Sequence, residues 1–73
     1  MTHYTRADLE MADRHILQGE HHIVQQEELL TRLRAQGQAT DSAEALLALF
    51  NSTLAEHRAH RGAIAEALEA HGL

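Results

Sequence analysis

The sequence predicts an all-α fold: an antiparallel two-helix hairpin of coiled-coil type that pairs with a second copy into a four-helix bundle. Three observations predict it. Proline is absent, while alanine, leucine, glutamate, glutamine and arginine, all good helix formers, are abundant. Two stretches with helical spacing of apolar residues flank a short link around Gly37. Heptads fitted to each stretch separately also match one another when the chain is folded about residues 38 and 39.

The first element begins at Thr5. Thr5 followed by Asp8 reads as a capping box with aspartate in place of the usual glutamate or glutamine, and Tyr4 and Leu9 stand at the two positions of a hydrophobic staple. The pattern continues to Ala35 or Gln36, so helix 1 is expected over about 5–36, with Gly37 placed for a left-handed C-terminal cap. The loop spans 37–40. Thr40 or Asp41 can cap helix 2, Asp41 and Glu44 put negative charge in its first turn, and its pattern runs over about 41–71 before Gly72. Each helix would be about 45 Å long at a rise of about 1.5 Å per residue. So short a link makes the two helices antiparallel neighbours within a single domain, residues 1–73.

The register follows from the heptads. Leu9, Ile16, Ile23 and Leu30 at a in helix 1 are expected to face Leu68, Arg61, Leu54 and Leu47 in helix 2. The d layers place large beside small: Ile64 by Ala12, His57 by Gly19, Phe50 by Gln26. At the flanking e positions Arg34 falls beside Glu44 and Glu20 beside Arg58. Being exposed, these pairs specify register more than they stabilise it.

Of the 73 residues, 44% are apolar in the broad sense, but many of these are alanine, so few large side chains remain for a core. A core of this size seldom supplies more than about 3–5 kcal/mol, and such chains usually add a disulfide, a metal or a partner chain. Cysteine is absent, which removes disulfides and thiolate metal sites. The hairpin seam also buries only one stripe per helix. Met11, Leu29, Leu46, Leu49, Ala63, Ala67 and Ala70 lie at g and c positions on one flank, and Leu17 and Val24 lie with Ala48, Ala55 and Ala65 on the other. A homodimer burying the flank with Leu29, Leu46 and Leu49, the larger patch, completes a four-helix bundle.

Six arginines, no lysine and eleven acidic residues give a net charge of −5 with histidine neutral, so nucleic-acid binding is not expected. No apolar run reaches the roughly 18 residues of a membrane span, and Met1-Thr2-His3-Tyr4-Thr5 lacks a signal-peptide plan, so the expected address is the cytoplasm. Seven histidines are the compositional anomaly. Protonating them would reverse the net charge, so the chain could respond to acidification.

Several histidines gather in the fitted register. His15 and His60 occupy facing g positions, His57 is a d residue opposite Gly19, and Arg61 is an a residue. His15, His57 and His60 are therefore candidate ligands for a divalent metal such as zinc, nickel or copper, with Glu56 or water as a fourth. The plainer reading is a polar layer of Gly19, Glu20, His57 and Arg61, in which Gly19 makes room for His57 and Arg61 reaches Glu20, fixing register or oligomeric state. A third reading joins Arg14, His15, His21, His22, His57, Arg58, His60 and Arg61 into a patch for an anion or acidic partner. No catalytic arrangement or phosphate loop stands out, and a two-helix hairpin has no deep pocket. The expected function is a non-enzymatic protein-interaction or small regulatory module, homodimeric and without a cofactor, with a partner protein still to be named. The alternative is a histidine-mediated metal-binding or pH-responsive protein.

The stretch from Ala12 to Arg61, ADRHILQGEHHIVQQEELLTRLRAQGQATDSAEALLALFNSTLAEHRAHR, resembles short bacterial helical-hairpin proteins with no established activity. The resemblance covers about two thirds of the chain; it implies the hairpin fold and carries no functional residues across. In architecture the chain is also similar to the Rop-type hairpin dimer, which binds RNA. The lack of lysine and the dispersed arginines do not support that activity here.

Overall fold

The computed structural model describes residues 3–71 and contains two helices, α1 (Arg6–Ala35) and α2 (Asp41–Ala70). Met1, Thr2 and Gly72, the last expected just beyond the second helix, lie outside the described residues. The helices pack antiparallel along their length in a rod of 55 × 17 × 12 Å. Its radius of gyration is 16.6 Å, where a globular chain of this length would have about 11 Å.

The start of α1 is built as the sequence predicts. The Asp8 amide donates to Thr5 Oγ1 at 3.2 Å, and the Thr5 amide donates to Asp8 Oδ2 at 2.8 Å, closing the capping box. Tyr4 and Leu9, the staple pair, both pack on the cluster of Ala12, Ile64 and Leu68. At the other end Gly37 takes φ 66°, a left-handed conformation that glycine adopts without a Cβ penalty. Its amide donates to Arg34 O at 3.1 Å and that of Gln38 to Leu33 O at 2.9 Å, the paired bonds of a Schellman motif. These bonds satisfy helix-end carbonyls and turn the chain toward α2.

The start of α2 differs from expectation. Thr40 is the N-cap residue, but its ψ is 0° and its side chain makes no capping hydrogen bond. Its backbone is already wound, so the hydroxyl is not held over the first-turn amides as it would be from an extended cap. The two threonines should therefore respond differently. Thr5→Ala is expected to cost about 1 kcal/mol and Thr40→Ala less than about 0.5 kcal/mol, measured by urea denaturation of each variant.

The buried side chains form a thin seam: Ala12, Gln26 and Leu30 from α1, and Ala43, Leu54, Ile64 and Leu68 from α2. Ile64 beside Ala12 and Leu9 beside Leu68 follow the expected register. At two d layers the structure shows partners that the heptad does not name. A Cβ built on Gly19 would stand 3.1 Å from Leu54 Cδ1, so the glycine admits the close approach of Leu54. Gln26 is buried and donates through Nε2 to Ala43 O at 2.9 Å. The reason is common to both: a side chain in an antiparallel seam enters a hole between residues of the facing helix rather than meeting one residue head-on. Leu54 fills the hole floored by Gly19, and the polar His57 is displaced toward the edge of the seam, where it is half-buried.

Gly62 has no comparable task. A Cβ there meets nothing within 4 Å, and its backbone is helical. Gly62→Ala should stabilise the hairpin by about 0.5–1 kcal/mol through helix propensity. A thermal melt checks this, with the midpoint expected to rise by roughly 3–8 °C.

Candidate interaction surface

The two edges of the seam carry different chemistry. On the edge formed by e positions, three ion pairs link the helices among the described residues. Arg34 donates to Glu44 at 3.0 Å and Arg58 to Glu20 at 3.3 Å, both as the register predicts. Arg61 Nε donates to Asp13 Oδ1 at 3.0 Å. This last bond corrects the expected polar layer, in which Arg61 reached Glu20. Glu20 is held by Arg58 from the facing e position, and Arg61 turns instead to the acidic side chain one heptad earlier on the same edge. The layer thus divides: Gly19 receives Leu54, Glu20 and Arg61 take separate partners, and His57 leaves for the opposite edge. All three pairs are largely exposed, so each contributes a few tenths of a kcal/mol and serves mainly to fix register.

The opposite edge, formed by g positions, is bridged by rings. Tyr4 meets His60 edge-on with centroids 5.9 Å apart, His15 meets His57 at 5.2 Å, and His22 stacks on Phe50 at 5.5 Å. Such pairs pack apolar ring surface without demanding an opposite charge. Of the three histidines singled out as ligands, the structure brings His15 and His57 together and sets His60 against Tyr4. Among the described residues no group of three histidine, aspartate or glutamate side chains is placed to hold a metal ion. The eight-residue basic patch is likewise divided. Arg58 and Arg61 are ion-paired on the e edge, while Arg14 and His21 are exposed at f positions on the outer face of α1.

Sequence reasoning missed the rings of Tyr4 and Phe50 as partners of histidines. The signal lay in their positions: Phe50 at d and His22 at g border the same edge once the layers interdigitate.

Beyond this ring ladder lies an apolar surface. Met11 is 50% exposed, Leu46 40% and Leu49 59%, and Leu29 is half-buried beside them. Asp8, Arg32 and Glu56 are the formally charged residues at g and c positions within the helices, and Asp8 is engaged in the capping box. The e and b side is far more charged, with Asp13, Glu20, Glu27, Arg34, Glu44 and Arg58 along it. Leu17 and Val24, 66% and 51% exposed, stand among those charges.

Fold and surface together define the class: an antiparallel helical hairpin with one ion-paired edge and one apolar, ring-lined edge. Among the described residues no helix is long and apolar enough to cross a membrane. Compared with known proteins, the chain matches no family model, and no curated protein or solved structure is significantly similar to it.

Proposed function

We propose that this chain is a non-enzymatic helical interaction module that acts as a homodimer, two hairpins joined along the g and c side into a four-helix bundle. The observation that carries the reading is an excess of exposed surface over the whole hairpin, together with one side that is poor in charge. The hairpin exposes 5386 Å², whereas a compact protein of its 8.1 kDa exposes about 4,500 Å². The difference, about 900 Å², is close to the roughly 800 Å² that each partner buries in an interface of standard size. Charge depletion favours the side of Leu29, Leu46 and Leu49 for that interface, because the buried centre of an interface excludes charged residues. In the bundle the e and b side stays outward, with Leu17 and Val24 as apolar anchors for a second protein among charges that would select it.

Light scattering coupled to size-exclusion chromatography tests the reading. In chelator at neutral pH the chain should elute at twice its 8.1 kDa mass. A monomer at concentrations up to about 100 μM would reject the dimer as a functional unit, since that limit corresponds to little more than about 5 kcal/mol of association free energy.

A further inference from the structure

We infer that His15 and His57 are half of a divalent transition-metal site whose other half is the same pair from a second hairpin. This rests on the reading of the g and c side as the dimer interface. The two imidazoles come from different helices, and their ring centroids are 5.2 Å apart with planes inclined by 48°. Metal–nitrogen bonds of about 2.0–2.1 Å at a tetrahedral angle put two ligating imidazole centroids about 5 Å apart. The pair is therefore already at ligating separation. Both rings line a groove of about 250 Å³ that Gln18, Gly19, Leu49 and Thr53 also border.

One hairpin supplies two nitrogens and no more. His60 is held against Tyr4 and His22 against Phe50, and no three-ligand group forms among the described residues. Zinc and similar ions bound by imidazole take four ligands, so the site is incomplete without a second copy.

The position of the pair suits this arrangement. His15 is the tenth residue of α1 and His57 the seventeenth of α2, so the pair lies somewhat to the open-end side of the middle of the hairpin. A two-fold axis through them and perpendicular to the rod sets the hairpins antiparallel with most of their length overlapping. Leu46 and Leu49 at the loop end of one copy then meet Ala67 and Ala70 at the open end of the other, large against small as close packing requires. Glu56, at c beside His57, brings one carboxylate per chain to offset the charge of the ion. Four neutral imidazoles select zinc, cobalt, nickel or copper and not calcium or magnesium, which take oxygen ligands.

The test uses the full chain, freed of metal by chelation and dialysed, then titrated with Zn²⁺ and separately with Co²⁺. The expected result is one ion per two chains and the visible absorption of tetrahedral Co²⁺. His15→Ala and His57→Ala should each weaken binding by about 100-fold or more, since the dimer then loses two of its four ligands. His21→Ala, on the outer face, and His60→Ala should bind as the parent does. His15 is exposed, so its variant keeps the fold and carries the test even if His57→Ala unfolds, which far-UV circular dichroism in chelator reports. One ion per chain, no uptake, or loss of binding in His60→Ala would each overturn the site. The mass measured in chelator separates the two readings: a metal-free dimer that takes up no ion rejects the site and leaves the interface standing.

Discussion

A chain carrying Leu46→Glu and Leu49→Glu is expected to elute as a monomer at concentrations where the parent is a dimer. Both leucines sit on α2 one turn apart, at g and c, and are 40% and 59% exposed in the single hairpin. Pairing would bury that remaining area, about 1 kcal/mol for each of the four leucines of a dimer. Glutamates in their place must be desolvated against the apolar side of the partner. The combined loss is at least about 4 kcal/mol, a thousandfold in the dissociation constant. The matched control is Leu17→Glu with Val24→Glu, which alters the two exposed apolar residues on the ion-paired side and should leave the mass of the dimer unchanged. If the control pair dissociates the dimer and the leucine pair does not, the interface lies on the e and b side.

The largest loss of stability is expected at Ile64. It is 1% exposed, the most deeply buried large side chain of the seam, and it packs with Ala12 and Leu68 at the open end, where no loop holds the helices together. Ile64→Ala should cost about 3–4 kcal/mol, because alanine already faces it across the seam and nothing there can move in to fill the cavity. That is comparable to the whole stability of a core this small. Helicity followed against temperature should therefore lose its cooperative transition or shift it down by more than about 12 °C. Leu17→Ala, at a residue 66% exposed, should leave the hairpin within about 0.5 kcal/mol of the parent. A midpoint nearly unchanged in Ile64→Ala would mean that stability resides in the interface between copies and not in the seam.

The predictions draw on both levels of description. Helix boundaries, the Thr5–Asp8 box and the turn at Gly37 could be read from the sequence because each depends on residues within a few positions of one another. The ion pairs Arg34–Glu44 and Glu20–Arg58 were also legible, since they need only the register, and the register follows once two heptads and a short loop are fixed. The candidate site was legible only in part. His15 and His57 were singled out together, but His60 was expected beside them and lies against Tyr4, a residue outside the heptad of either helix.

What only the tertiary structure decided is how the layers interlock. The close approach of Leu54 to Gly19, the bond from Gln26 to the carbonyl of Ala43, and the choice of Asp13 over Glu20 by Arg61 all depend on side-chain placement within the hole left by the facing helix. A heptad specifies the stripe on which a residue lies; it does not specify its depth or its lateral choice between two neighbours at similar distance. Here those choices sent the ion pairs between the helices, among the described residues, to one edge and the pairs Tyr4–His60, His15–His57 and His22–Phe50 to the other. That division follows from packing, because displacing His57 from the seam beside Leu54 leaves its ring the g edge, where His15 already stands.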